Sequence, residues 1–375
     1  MQICLISTEI FHWGTYGGFG ALTRMIGREM VKKGVNVSVL VPQKSKRQNK
    51  LEFLEGMTVI SIPAKPVFGY RSLPLECLLN GSSFKLGTTD IFHSEEPSVI
   101  SVLAMRSNRD SKHIITFQDP RTLADNRKVW ALDPRFNSYK FRTMLMVDYG
   151  INDFFIKKAI QRADALFCQA KYTVPKVITM YKLQTQPLFL PNPVEVPTRA
   201  LRKADEPTVC FVARWDPVKR PKIFFKLAKM FPNVKFIALG KAHNKERDQC
   251  LREKYRCVPN LLMTGFVSEE EKSQILEKSW ILVNTSIREC LPVSFLEAAA
   301  HECAILSSEN PDNFAEDFGY HVTDGNYASG LRYLLEDDRW MERGKKAYRY
   351  VRRVHEVKNV VNQHILIYKK LLDGC

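Results

Sequence analysis

The sequence predicts an α/β protein built as two doubly wound parallel-sheet domains facing a central cleft. Short β-rich runs alternate with helix-period segments from the first residue. The alternation breaks once, in a proline- and charge-rich stretch, and then restarts. The length of 375 residues is too great for one ordinary core and suits two.

The first strand is ICLIS, Ile3 to Ser7. It leads through the glycine loop YGGFG, Tyr16 to Gly20, into a helix where Leu22, Met25, Ile26 and Met30 recur at helical spacing until Gly34 stops it. VNVSVLVP follows as a strand, so the chain opens on a strand-helix-strand unit. Further strands are expected at TVISIP, DIFH, HIITF, ALFCQA and PLFLP. The stretch PNPVEVPTRALRKADEP, Pro191 to Pro207, lacks periodicity and is the expected linker. The pattern restarts with TVCFVAR and a helix from Pro221 that carries Ile223, Phe224, Leu227, Ala228 and Phe231 on one face. VKFIALG and LLMTGF follow as strands. Ser268 and Glu271 have capping-box spacing for the next helix. WILVNTS, the helix around Glu297, CAILSS and YHV complete the second domain. Ligands of such open sheets bind outside the C-terminal ends of the strands.

The totals narrow the function classes. Hydrophobic residues make up 45% and charged residues 26%, a balance that suits a folded globular protein. The start MQICLISTEIFHWG shows no basic n-region or small-residue cleavage site, and no apolar run approaches the roughly 18 residues of a membrane span. A cytoplasmic, non-spanning protein is expected. Nine cysteines stand singly without a CxxC pair, and Cys4, Cys168 and Cys210 fall in strand-like runs, so reduced, packed thiols are expected. The net charge is +16, from 56 Lys and Arg against 40 Asp and Glu. It points to an anionic partner: nucleic acid, a phosphorylated substrate or an acidic membrane face.

Three stretches carry candidate chemistry. Glycines in YGGFG let the backbone turn tightly and approach a phosphate at a helix N-terminus, or serve only a packing turn. The spacing is not the dinucleotide GxGxxG. ARWDPVKRP places Arg214 and Lys219, with Arg220 adjacent, just after a strand, where cations can neutralise a diphosphate or lie in a solvated basic loop. In ECLPVSFLEAAAHECAILSSENPDNFAE, Glu289 precedes a helix N-terminus and Glu297 lies about two turns on. Two such carboxylates can meet the two ends of a sugar nucleotide, whose phosphates suit the free helix amides between them. His93 and Glu96 in DIFHSEEP, and His12, are minor candidates that fit a structural role equally.

In combination, GGFG, DIFHSEEP, ADALFCQA, LPNPVEV, ARWDPVK, TGFVSEEEKSQILEKSWILVNTSIRECLPVSFLEA and a basic C-terminal tail resemble the retaining glycosyltransferases of family 4 (glycosyl transferases group 1), whose fold is called GT-B. The resemblance covers nearly the whole chain, and the Glu289 to Glu297 spacing matches the family's E-x7-E signature. It implies an N-terminal Rossmann-like acceptor domain over 1–194, a C-terminal Rossmann-like nucleotide-sugar donor domain over 195–355, and a helix over 356–375 crossing back to the first domain. It implies Glu297 on the nucleotide ribose hydroxyls, Glu289 on the donor sugar, and Arg214 and Lys219 on the diphosphate. Backbone amides of Gly17, Gly18, Phe19 and Gly20, and the helix-start segment Leu291, Pro292 and Val293, would assist, with the backbone near Val267 toward the base. No covalent nucleophile, cofactor or metal is implied, and the chain contains no DxD motif. The family reaction is a front-face displacement in which the leaving diphosphate helps take the acceptor proton.

The chain departs from the family at three positions. Gln118, followed by Asp119, stands where the family often has a histidine that contacts the sugar. Pro292 replaces a frequent glycine and has no amide to offer phosphate; it is expected as a first-turn proline. Glu302 stands near the helix end where glycine is usual, and a left-handed backbone there costs about 1 kcal/mol.

Between Arg121 and Arg162 the chain carries nine Lys and Arg against four Asp, interleaved with Trp130, Phe136, Tyr139 and Phe141; Arg339 to Arg353 holds seven basic residues and one acid. These are solvated faces, or surfaces for an acidic bilayer and a lipid-linked or other anionic glycan acceptor. Other readings are a GT-B sugar-nucleotide epimerase, which E-x7-E fits poorly, a catalytically dead interaction subunit on this fold, and a nucleic-acid binder, which no zinc-finger spacing or recognition motif supports.

Overall fold

The computed structural model describes residues 1–9, 17–43, 51–63 and 89–374; His12 and Tyr16 fall outside them. The chain divides into two compact units, Met1–Pro193 with Val357–Cys375, and Val194–Glu356.

The first unit runs β1 (Gln2–Ile6), α1 (Gly18–Lys32), β2 (Asn36–Gln43), β3 (Leu51–Leu54), β4 (Met57–Pro63), β5 (Ile91–Ser94), α2 (Val99–Ser107), β6 (Lys112–Phe117), α3 (Leu123–Trp130), α4 (Tyr139–Ile160), β7 (Ala165–Cys168), α5 (Thr173–Tyr181) and β8 (Leu188–Phe189). Its sheet has the order β3-β4-β2-β1-β5-β6-β7-β8. Every described pairing in it is parallel except β3 on β4, an antiparallel edge absent from the sequence expectation.

Strand alternation builds a core on each face of this sheet. Ile3 and Leu5 of β1 pack with Ile26 and Met30 of α1, whereas Cys4 and Ile6 pack with Val99, Ile100 and Leu103 of α2. Phe155 of α4 joins that second face.

The second unit runs β9 (Thr208–Val212), α6 (Pro221–Met230), β10 (Lys235–Leu239), α7 (Lys245–Tyr255), β11 (Leu261–Gly265), α8 (Glu269–Lys278), β12 (Ile281–Asn284), α9 (Val293–Ala300), β13 (Ala304–Ser307), α10 (Phe314–Phe318), β14 (Gly319–His321), α11 (Tyr327–Leu335) and α12 (Arg339–Val354). The order β11-β10-β9-β12-β13-β14 is parallel at every described pairing. Phe224, Phe225, Leu227 and Ala228 of α6 enter its core beside Trp215 and Phe236.

The last helix, α13 (Val357–Asp373), returns to the first unit. Val357, Val361 and Tyr368 pack into the core on the α1 face. The Tyr368 hydroxyl lies 2.7 Å from His93 Nδ1, and Thr116 Oγ1 lies 2.7 Å from His93 Nε2. Both ring nitrogens of His93 are thereby engaged, and burial foremost holds its pKa well below the usual histidine range. His93 is a structural residue here, a neutral tie between sheet and terminal helix.

Candidate active site

In an open parallel sheet, neighbouring strands whose following connections run to opposite sides leave a crevice at their C-terminal ends. In the second unit this point lies between β9 and β12, since β10 and β11 extend one way and β13 and β14 the other. Lys219 follows β9 and Glu289 follows β12, so the topology brings together two residues far apart in sequence.

The two loops are stitched to each other. Ile287 N donates to Val218 O at 3.0 Å, and Thr285 Oγ1 donates to Lys219 O at 2.6 Å. Arg220 has a left-handed backbone, φ 46°, and its guanidinium donates to Thr285 O, to Ser286 O at 3.0 Å and to Ser308 Oγ at 3.1 Å. The sequence pattern grouped Arg220 with the ligand-facing cations, but its donors clamp the loop.

Lys219 Nζ donates to Glu289 Oε1, and the two side chains retain 22% and 10% exposure. The same carboxylate oxygen accepts from Ser286 Oγ at 2.5 Å and Asn284 Nδ2 at 3.3 Å. The backbone N–H of Glu289 donates to Glu309 Oε2 at 3.1 Å. Burial foremost, and the nearby Glu289 charge, push the Glu309 carboxyl up. Glu309, Asn284 and Ser286 carried no sequence signal of their own. Arg214 has other partners. It is exposed and meets Asp216 Oδ2 at 3.6 Å and His243 at 3.3 Å.

Helix α9 begins after an extended Pro292, φ −72° and ψ 141°, which is the N-cap rather than the expected first-turn residue. The cap makes no side-chain hydrogen bond, and the amides of Val293 and Ser294, as first helical residues, have no acceptor within the helix. Buried Leu291 lies just before them. Glu297, about one turn into α9, accepts from Lys272 Nζ at 2.7 Å; Lys272 also meets Glu269 at 2.7 Å. Burial raises the Glu297 carboxyl against the pull of Lys272. Burial works to lower the Lys272 ammonium, but the Glu297 and Glu269 charges outweigh it and hold it above its usual value. Sequence reading missed Lys272. Its only signal was a lysine following three glutamates at the start of α8, whose capping box on Ser268 and Glu271 is formed. Val267 is half-buried beside that cap.

In the first unit the switch point lies between β1 and β5. Gly18, Phe19 and Gly20 belong to the first turn of α1, not to a loop, and Gly17 is its N-cap. Gly20 N donates to Glu9 Oε1 at 3.2 Å, and a Cβ on Gly17 would stand 2.1 Å from that oxygen. The helix N-terminus expected to face phosphate therefore faces a carboxylate, and Gly17 supplies space for it.

Gln118 is 3% exposed. Its Nε2 donates to Asn192 Oδ1 at 2.9 Å and Glu95 Oε2 at 3.3 Å, and its Oε1 accepts from Asn192 Nδ2 at 2.8 Å. Gln169 Nε2 donates to Gln118 O at 3.1 Å. The expected sugar contact is thus committed to a buried amide cluster. Glu96 accepts from the amides of Gln118 and Asp119 at 2.8 and 3.0 Å, fixing the turn after β6.

Solved structures similar to the chain include the sucrose-phosphate synthase of Thermosynechococcus elongatus, at 15% identity and TM-score 0.73 over 100% of both chains. Anabaena HepE in complex with UDP and glucose matches at 15% identity and TM-score 0.67, over 98% of this chain and 99% of that one. The catalytic domain of starch synthase IV from Arabidopsis thaliana, bound to ADP and acarbose, matches at 11% identity and TM-score 0.65, over 99% of each chain. A search of curated protein sequences finds no match. The chain has the GT-B fold of two Rossmann-like α/β domains, and residues 196–354, nearly the whole second unit, match the family described as glycosyl transferases group 1.

Proposed function

We propose that the protein is a retaining, metal-independent glycosyltransferase that moves a sugar from a nucleoside diphosphate sugar to a glycan or lipid-linked acceptor. The observation that carries this reading is the Lys219–Glu289 pair at the switch point of the second unit, beside the uncapped N-terminus of α9. A cation, a carboxylate and free helix amides are the complement of a sugar diphosphate. The match of residues 196–354 to glycosyl transferases group 1, and neighbours solved with UDP and glucose or with ADP, support it.

In this reading Lys219 and Arg214 offset the diphosphate charge, and the amides of Val293 and Ser294 bind its oxygens. Glu289 accepts from donor-sugar hydroxyls, and Glu297 accepts from the ribose hydroxyls. The bond from the anomeric carbon to the diphosphate oxygen breaks as the acceptor oxygen bonds that carbon on the same face. The acceptor proton passes to the departing diphosphate. No side chain becomes covalently attached.

A thermal-shift screen against UDP, GDP, ADP and their common sugar conjugates, without added metal, tests the reading. The expected result is stabilisation by one nucleotide that is lost in Glu297→Ala. Stabilisation by none of them overturns it.

A further inference from the structure

Strands β12 and β13 are parallel and pair Asn284 with Ser307, so the segments that follow them leave the second sheet side by side at its C-terminal edge. The segment after β12 carries Ser286 and Glu289, and the one after β13 carries Ser308 and Glu309. Several side chains tie the two together. Ser308 Oγ donates to Ser286 O at 3.5 Å, and it accepts from the buried Tyr327 hydroxyl at 2.8 Å. The Arg220 guanidinium donates to Ser308 Oγ at 3.1 Å on one segment and to Ser286 O at 3.0 Å on the other. Glu309 N donates to buried Ser307 Oγ at 2.9 Å, which fixes the turn out of β13.

From this fixed turn the Glu309 side chain reaches across to Glu289, whose backbone N–H donates to Glu309 Oε2 at 3.1 Å. Glu289 needs such an anchor. Residues 285–292, between β12 and α9, are neither helix nor strand, so no regular ladder of hydrogen bonds sets their backbone angles. Ile287 is held through its amide by Val218 O, and Glu289 is held through its amide by Glu309. A backbone N–H that donates to a carboxylate makes one of the stronger kinds of hydrogen bond. The Glu289 side chain, fixed in this way at its base, takes Lys219, Ser286 and Asn284 as donors on Oε1.

We propose that Glu309 is a positioning residue for the donor sugar: through the amide of Glu289 it sets the direction in which the Glu289 carboxylate meets the sugar hydroxyls. The proposal rests on the transfer reading above, in which Glu289 accepts from the sugar, and it adds a residue to which that reading gives no part. Glu309 acts through Glu289, since the oxygen that would otherwise meet a ligand is spent on the amide. Its effect therefore falls on the sugar half of the donor. The nucleoside diphosphate half is held by other groups: Lys219, the first amides of α9 and Glu297. A group that aims a binding residue matters because small displacements are costly, up to about a hundredfold for 1 Å.

The test is calorimetric titration of the full chain with UDP, GDP and ADP and with UDP-glucose, GDP-mannose and ADP-glucose, read as the affinity for a sugar conjugate relative to its bare nucleotide. Glu309→Ala should keep the affinity for the bare nucleotide and lose about tenfold toward the conjugate. Glu309→Gln still offers an oxygen to the Glu289 amide and should come within about threefold of wild type. Glu309→Asp keeps the charge but falls one carbon short, so it should lose conjugate affinity as the alanine variant does; with the glutamine variant it carries the test if Glu309→Ala does not fold. In a Glu289→Ala background, Glu309→Ala should cost nothing further, because the carboxylate it aims is gone. Three results overturn the proposal: unchanged conjugate affinity in Glu309→Ala, equal losses for bare nucleotide and conjugate, or the full loss persisting in the Glu289→Ala background. The second would make Glu309 a general support of the loop, and the third a residue that acts on its own. Wild-type protein that binds none of the nucleotides removes the transfer reading itself, and this proposal with it.

Discussion

Lys219 and Glu289, 70 residues apart, form an ion pair at the C-terminal edge of the second sheet, held by loops that are themselves bonded together. A lysine so paired is not an open anion site. For it to hold a diphosphate, the incoming oxygens must compete with Glu289, which keeps Ser286 and Asn284 as donors when Lys219 turns away. Glu289→Gln should therefore free Lys219 and preserve or strengthen binding of the bare nucleoside diphosphate. The same change should lower sugar transfer by at least about a hundredfold, because the sugar loses its charged acceptor. Lys219→Met should weaken nucleotide binding and also cost about 1–2 kcal/mol of stability by stranding a mostly buried carboxylate. Calorimetric titration of both variants with the nucleotide separates the two effects. Equal losses of affinity in both would mean that the pair acts only as a structural bridge.

Lys272 poses a sharper test of Glu297. Burial raises the Glu297 carboxyl and the Lys272 charge and hydrogen bond draw it back down; in Lys272→Met that pull is gone, so the carboxyl rises further. A protonated carboxyl cannot accept from two ribose hydroxyls as a carboxylate does. Nucleotide affinity of Lys272→Met should fall about tenfold near neutral pH and recover as pH rises, since base restores the carboxylate. Binding measured from pH 6 to 9 would show the recovery. A loss independent of pH would assign Lys272 to packing between α8 and α9.

Much of the fold was legible because the buried parallel strands are short apolar runs and the helices between them keep a 3.6-residue period. Edge strand β3 was not. It is four residues, LEFL, with alternate positions exposed, and only its partner β4 makes it a strand. Helix α4 has apolar residues on both the core side and the outer side, so periodicity does not mark its faces. At the candidate site, the residue spacing of Glu289 and Glu297 was visible, and Lys219 stood out as a cation after a strand. Their partners were not visible, because burial of Lys272 depends on how α8 packs against α9. The commitment of Gln118 to Asn192 and Gln169 similarly spans separations of 74 and 51 residues. Such pairings are created by topology and leave no local trace.

Glu302 occupies a left-handed backbone, φ 57°, just past the end of α9. That conformation favours glycine, so Glu302→Gly should stabilise the protein by about 0.5–1 kcal/mol, after allowance for the looser unfolded chain. The carbonyl of Glu302 also lies against α12, where a Cβ on Gly344 would come within 2.1 Å of it. Gly344→Ala should therefore destabilise, by about 2 kcal/mol or more, as backbone has to move. Thermal melts of the two variants check opposite signs at one contact. A neutral Gly344→Ala would mean that α12 can shift away from this end of α9.

Glu95 predicts a pH dependence in the first unit. Its side chain is 4% exposed, Oε1 has no hydrogen-bond partner among the described residues, and burial pushes the carboxyl from its ordinary 4.5 up to about 7. The amide of Gln118 opposes that rise and the Glu96 charge adds to it. A carboxyl whose folded pKa is raised binds more protons when folded, so its contribution is most favourable below pH 4.5 and declines as pH rises through 7. The decline amounts to roughly 3 kcal/mol, from about 1.4 kcal/mol for each pKa unit. Glu95→Gln keeps an acceptor for Gln118 and cannot ionise, so its stability relative to wild type should grow by about 2–3 kcal/mol between pH 5 and pH 8. Denaturant unfolding of the two proteins at both pH values measures the difference. A difference that stays constant with pH would show that Glu95 is charged throughout and that a polar group or bound water satisfies Oε1.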